Sequence, residues 1–172
     1  MKLENFFADH HKYLCSQWTE AIIKTYPEEG GKFFSSTSSQ FSNPVGHTFR
    51  SNIERIVLAV AKGTDVAACT QDLDEILRIR AVQGFSPAVA LGFIPALRNI
   101  VSQHIIEKCP AETHVALLGD LNILVDQLVL LGFDLYMQCR ELLWRQKANQ
   151  LYSRTHKLLE RANLLQGEEA AE

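Results

Sequence analysis

The 172-residue sequence contains no G-x-G-x-x-G, no P-loop, no H-E-x-x-H and no G-x-S-x-G. Without them, the phosphate-cradling, zinc-peptidase and serine-hydrolase chemistries have no characteristic residue set to work with. Paired carboxylates at Glu28-Glu29 and Glu168-Glu169 lie in a loop and a tail and say little about catalysis. No C-x-x-C pair occurs either. Cys15, Cys69, Cys109 and Cys139 are widely spaced, which reads as free thiols in a reducing cytoplasm rather than a disulfide frame or a zinc site. Excess positive charge is absent: the net charge is −3, so no whole-chain field draws the protein to nucleic acid. The N-terminus, "MKLENFFADHH", has acids where a signal peptide would carry its apolar run. The most apolar window, Val115 to Phe133, contains Asp120, Asn122, Asp126 and Gln127. Two carboxylates near a bilayer midplane are costly, so no transmembrane span is expected. No activated nucleophile, acid–base pair, metal set or cofactor motif remains. The expectation is a cytoplasmic protein that is not an enzyme and carries no cofactor.

What is present is ordinary globular composition, 47% hydrophobic and 22% charged, in a chain long enough for a real core. Leu3, Phe7, Leu14, Trp18 and Ile22 share a stripe on a first helix that ends before Pro27 and Gly30-Gly31. The stretch "PEEGGKFFSSTSSQFS", Pro27 to Ser42, is a long connection whose Phe33, Phe34 and Phe41 should pack down. Asn43-Pro44 and Ser86-Pro87 each read as an N-cap followed by proline at the first helical position. They open a second helix closed by Gly63 and a fourth that runs to Lys108. Between them a third spans roughly Asp65 to Gln83. Pro95 lies nine residues inside the fourth helix and cannot donate to the carbonyl of Leu91, which predicts a kink. Ala88 to Leu97 is apolar on every side, as in a helix buried all round. From Ala111 to Leu165 no breaker stronger than Gly119 and Gly132 occurs. The fold expected is an all-α bundle of about five helices, with a kinked buried helix and a very long C-terminal one, open to a globin-like arrangement.

Arg80 projects from the apolar stripe of Leu73, Ile76 and Leu77, so it requires a partner. Leu117, Leu121, Leu124, Leu128, Leu131 and Leu135 alternate by four and three, a heptad-type seam. Beside it, Asp120, Gln127, Asp134 and Glu141 recur every seven residues. Pairing of Arg80 with Asp134 or Asp120 is the expectation, against the alternative of a merely solvated acidic edge. A second pattern begins at Trp144: Ala148, Leu151, Thr155, Leu158, Ala162 and Leu165 follow by four and three. Arg140 to Arg161 holds six Lys/Arg, among them Arg145 and Arg154, against two Glu. That stretch reads as a basic tail helix that dimerises or docks on a partner through Trp144, Leu151, Leu158 and Leu165, or packs back on its own domain. The chain accordingly divides into a helical domain, 1–143, and a basic heptad tail with an acidic disordered end, 144–172. His11 and Cys15, four apart on one helix, and His104 are the weak candidates for a haem or other ligand site; bordering the core is the plainer reading.

Three segments, "FSNPVGHTFR" (Phe41 to Arg50), "LDEILRIRAVQGFSPAVALGF" (Leu73 to Phe93) and "FDLYMQCRELLWRQKANQ" (Phe133 to Gln150), give the chain a likeness to a known family. It resembles the RsbRD-type N-terminal domain, the input domain of RsbR-like stressosome co-antagonists and of some sensor kinases. The resemblance implies signal input in bacterial signalling rather than chemistry. It makes Arg78, Arg80, Gln83, Ser86 and Pro87 the signature of the fold and Arg140-Glu141 the point where the helix leaves the domain. Independently of the resemblance, Pro87 and Pro95 are expected to set the start and bend of the buried helix, and the polar contact of Arg80 to be a switch or a register pin. Gly84 departs from the acidic residue expected there, and Ala88 from serine. With the sequence ending at Glu172, a free-standing input domain acting in trans on a separate signalling protein, as a homodimer, is the leading expectation. A small-ligand or haem sensor is the alternative.

Overall fold

The two proline signatures do start helices, and for the reason their residues suggest. A computed structural model describes residues 1–26 and 43–169, with side chains as far as 162. In it the Asn43 side chain accepts a hydrogen bond from the Gly46 amide at 2.9 Å. Ser86 Oγ accepts one from the Val89 amide at 3.4 Å. Each satisfies a donor that a helix start otherwise leaves without a partner, and each is followed by proline, whose missing N–H costs nothing there. Helix α1 spans Leu3–Ile23, α2 Pro44–Ala61, α3 Thr70–Val82, α4 Pro87–Leu91, α5 Phe93–Lys108 and α6 Ala111–Glu169. A 3-10 turn, Val66–Cys69, takes up the first residues of what sequence periodicity reads as one helix from Asp65. Among the described residues there is no strand. The connection at 27–42, with its three phenylalanines, and the acidic end at 170–172 lie outside the described residues, as does the side chain of Leu165.

Helices α4 and α5 are the two arms of the expected kinked helix, so the described bundle has five helices, all-α as read from sequence. The break falls at Gly92 rather than at Pro95. Pro95 occupies the third position of α5, where an absent N–H loses no intrahelical bond; the chain opens one turn earlier, at the residue without a side chain. Burial around the break is one-sided. Ala90, Leu91, Phe93, Ile94 and Leu97 face inward, while Ala88, Val89, Gly92 and Pro95 are exposed. This corrects the all-round burial expected for 88–97. The outward positions are small, β-branched or ring-closed residues that forfeit little by meeting water.

Contacts divide the chain into two compact units, Met1–Met137 and Gln138–Glu172. In the first, α1 packs on α2 and α5, and α2 on α3. Phe6, Phe7, Leu14, Trp18, Phe49 and Ile53 are wholly buried, each side chain contributing about 1.5–3 kcal/mol by leaving water. On the part of α6 within this unit, Leu117, Leu121, Leu128 and Leu135 are buried, while Leu124 and Leu131 are only half-buried. Val125, Gly132 and Tyr136 take up the burial instead. A straight helix drifts by about 20° per heptad against a seven-residue repeat, so the inward face slides off a strict seam. At Gly132 the neighbours come close: an added Cβ would lie 2.7 Å from Ile94 Cδ1 and 3.0 Å from Leu91 Cδ2. Two stretches, 87–108 and 111–162, have the length and mean hydropathy of a membrane span. The first is the bent helix, with 44% of its most apolar window buried inside the fold.

Candidate functional site

Arg80 is fully buried, as its place on the apolar stripe of α3 requires. Its Nη2 donates to the Val89 carbonyl at 2.7 Å and to Thr25 Oγ1 at 2.9 Å. Val89 lies in the last turn before the Gly92 break, where helix carbonyls have lost their intrahelical donors. Thr25 lies just past the end of α1, and its hydroxyl donates onward to the Ile22 carbonyl at 2.6 Å. The guanidinium thus ties two helix ends together, and a cation is the favourable charge at such ends. Its remaining surface is covered by rings: Phe85 at 4.7 Å, Tyr26 at 5.3 Å and Phe93 at 6.0 Å from ring centroid to Cζ. Nε and Nη1 have no hydrogen-bond acceptor among the described residues, so the aromatic faces are what they meet. Burial lowers the Arg80 pKa from its ordinary value, with Tyr26 and Tyr136 opposing that shift.

The expected pairing of Arg80 with Asp120 or Asp134 is not formed. Both carboxylates are on exposed positions of α6, and a helix-end carbonyl close at hand offers Arg80 an acceptor without a second buried charge. The long helix does receive an arginine, but from α5: Arg98 pairs with Asp126 near the surface. Its second tie is Tyr136, wholly buried, whose hydroxyl donates to the Phe85 carbonyl. Around the same corner Trp18 Nε1 donates to the Phe93 carbonyl at 2.7 Å, and Tyr26 donates to Gln83 Oε1 at 2.7 Å. Ser86, Pro87 and Pro95 act through the two helix starts already described. On the outer face of α3, Asp74 and Arg78, four residues apart, form a salt bridge at 2.7 Å.

The three weak ligand candidates fall in two places. His11 and Cys15, half-buried, line a surface groove of about 550 Å³ between α1 and α2, with Lys12, Thr19, Arg50 and Glu54. Burial, then the charge of Glu54, pushes the Cys15 thiol up to about 11, so it is protonated at neutral pH and is not an activated nucleophile. Burial raises Cys69 to about 11 as well. His104 is not a wall of that groove. It is 6% exposed, with Nε2 3.1 Å from Nδ1 of His10 and its ring stacked on Tyr13 at 4.2 Å. Sequence reasoning missed this His10–His104 pair, because the partners are 94 residues apart and nothing local to either helix links them. Among the described residues no three His, Cys, Asp or Glu side chains are grouped to hold a metal.

The corner built by α3, the turn after it and α4 coincides with the segment that carries the sequence likeness. A family model, the RsbT co-antagonist protein rsbRD N-terminal domain, matches residues 12–151. The chain belongs to this family. No curated protein and no solved structure matches it. The family makes it a signalling input domain related to the stressosome.

In this RsbRD-type domain the match takes in Arg78, Arg80, Gln83, Ser86 and Pro87 and continues past Arg140 and Glu141. Gly84, one of the two departures noted in sequence, has φ +81 and nothing within 4 Å of an added Cβ; glycine suits the left-handed turn that ends α3. Ala88, the other, is exposed. In the second unit Trp144, Leu151 and Leu158 are 62%, 68% and 64% exposed. Arg140 and Lys147 lie over the Trp144 ring at 6.0 and 5.6 Å. Arg145 reaches Glu141 at 3.9 Å, and Arg154 is exposed.

Proposed function

We propose that this RsbRD-type domain is a non-catalytic regulatory module that works in the cytoplasm through protein contacts, as a homodimer acting in trans on a separate signalling protein. The observation that carries the reading is the tail of α6. Trp144, Leu151 and Leu158 present large apolar surfaces to solvent at seven-residue spacing among basic residues. Such a stripe is stable in water only when another surface covers it. Deleting residues from Trp144 onward is expected to abolish self-association in sedimentation equilibrium while far-ultraviolet circular dichroism still reports a folded helical bundle. A truncated protein that remains a dimer removes the tail from the role.

One observation favours a second reading, a small-ligand sensor: two of the sequence candidates, His11 and Cys15, do share a groove. Native mass spectrometry of the purified protein separates the two. A stoichiometric adduct that is lost in His11→Ala supports the sensor, and a bare dimer supports the interaction module.

A further inference from the structure

The most apolar window of α6 is poorly covered by the fold: 28% of it is buried, against 44% for the bent helix. Within the first unit this leaves Ile123, Leu130, Phe133 and Met137 exposed by 61%, 69%, 47% and 38%. With Asp126 they follow one another by three, four, three and four residues. That spacing makes one stripe, about 21 Å long at 1.5 Å per residue, of the kind a helix presents to another helix. The charges along it have one sign. Residues 111–137 carry Glu112, Asp120, Asp126 and Asp134 and no lysine or arginine. Asp120, Gln127 and Asp134 stand three residues before Ile123, Leu130 and Met137 and so form one flank. Arg98 reaches Asp126 from α5 but leaves that aspartate side chain 68% exposed. Beside the flank a groove of about 320 Å³ opens between α6, the start of α1 and the end of α2. Glu4, Asp120 and Gln127 line it, with Gly63 and Thr64, and none of its lining residues is lysine or arginine. Two carboxylates thus border a helix C-terminus, where the carbonyls themselves favour a cation.

We infer that this face receives a cationic amphipathic helix of the separate signalling protein. The apolar side of that helix covers Ile123, Leu130, Phe133 and Met137, and one of its lysines or arginines reaches into the groove between Glu4 and Asp120. The same face of a second copy would bring Asp120, Asp126 and Asp134 against carboxylates, and like charges across a helical contact disfavour that pairing. An anionic lipid surface or a nucleic-acid backbone meets the same repulsion. A cationic helix instead covers the apolar stripe and sets opposite charge on its flank, which favours both encounter and register. All the residues that make the contact belong to the first unit. The inference rests on the action in trans proposed above and adds the surface that makes the contact and the charge of what it takes.

The test titrates the full chain into a fluorescent synthetic helix of about 18 residues, long enough to span the stripe, and reads anisotropy. The probe carries leucine at its a and d positions and lysine at e and g; a second probe carries glutamate in place of lysine. The lysine probe is expected to bind and the glutamate probe not. L130D/F133D, at two exposed positions, is expected to weaken binding by about tenfold or more with unchanged circular dichroism, and D120K/D134K to reverse the preference toward the glutamate probe. Unchanged binding in L130D/F133D overturns the inference; if L151D/L158D removes it instead, the tail is the binding surface and action through protein contacts stands. Loss of a dimer in L130D/F133D by sedimentation equilibrium makes a second copy the occupant and overturns it too. So does binding to phosphatidylcholine vesicles that L130D/F133D abolishes while neither probe binds. No binding of the lysine probe also overturns it, and the tail deletion described above decides self-association separately.

Discussion

The buried guanidinium offers the sharpest test of how the fold is held. Arg80 is wholly buried and, among the described residues, pairs with no carboxylate; its charge has exchanged water for a carbonyl, a hydroxyl and three rings. Replacing it by methionine removes two hydrogen bonds from a charged donor, each worth about 1.5–3 kcal/mol. Thr25 keeps its own bond to Ile22, so only the Val89 carbonyl loses a needed partner. Against this, removing the charge relieves a desolvation penalty of several kcal/mol. The difference leaves Arg80→Met destabilising by about 1–2 kcal/mol. Lysine keeps the buried charge but loses the planar fork that reaches two helix ends at once and stacks on rings. Arg80→Lys therefore costs more, about 3 kcal/mol. For a chain of this size each kcal/mol lowers Tm by about 2–4 °C. Thermal unfolding followed by circular dichroism should place the order as wild type, then methionine, then lysine. Lysine as stable as wild type, or more stable than methionine, refutes the idea that the fork and the helix-end carbonyl are what Arg80 serves.

Gly132→Val puts branched carbons where even a Cβ comes within 2.7 Å of Ile94; overpacking of this kind costs about 1–3 kcal/mol, read as a lower urea midpoint at unchanged slope. His104 has its pKa lowered by burial first, then by His10 and Lys108, with Glu107 opposing. The unfolded chain therefore takes up a proton near pH 6.5 that the folded one still refuses, and stability falls as pH drops through that value until the folded imidazole also protonates. The urea midpoint should decline between pH 7.5 and 5.5, and His104→Gln should flatten the decline; an equal slope in both proteins removes His104 from the effect.

Legibility in the sequence followed the range of the interaction. Asn43-Pro44 and Ser86-Pro87 could be read because a cap and its amide lie within four residues. The burial of Arg80 could be read because its position on the Leu73–Ile76–Leu77 stripe is also local. Its partner could not. Heptad spacing points to carboxylates, whereas the acceptor is a backbone carbonyl freed by a break at Gly92, and side-chain patterns carry no sign of a free carbonyl. The same limit hid His10 beside His104 and Asp126 beside Arg98. The leucine seam was half legible. Its strict repeat names the right helix face at Leu117 and Leu128, but the drift of a straight helix moves burial to Val125, Gly132 and Tyr136.

Whether Arg80 pins the fold or switches it turns on what its neighbours can do. A switch biased by protonation needs a partner whose charge changes in the working range. Val89 offers a carbonyl, Thr25 a hydroxyl and Phe85 and Phe93 apolar rings, none of which titrates. Among the described residues Tyr26 is the titratable ring over the guanidinium, and burial raises its pKa above an already high value despite the opposing pull of Arg80 and Gln83. No proton change near neutrality alters this set. Geometry is the remaining variable: Arg80 holds the end of α1 to the end of α4, and that hold lasts as long as the break at Gly92 keeps the Val89 carbonyl free. Among the described residues, a change that loosens this hold would have to move α1, the bent helix, α3 itself or, through Tyr136 and the Phe85 carbonyl, α6.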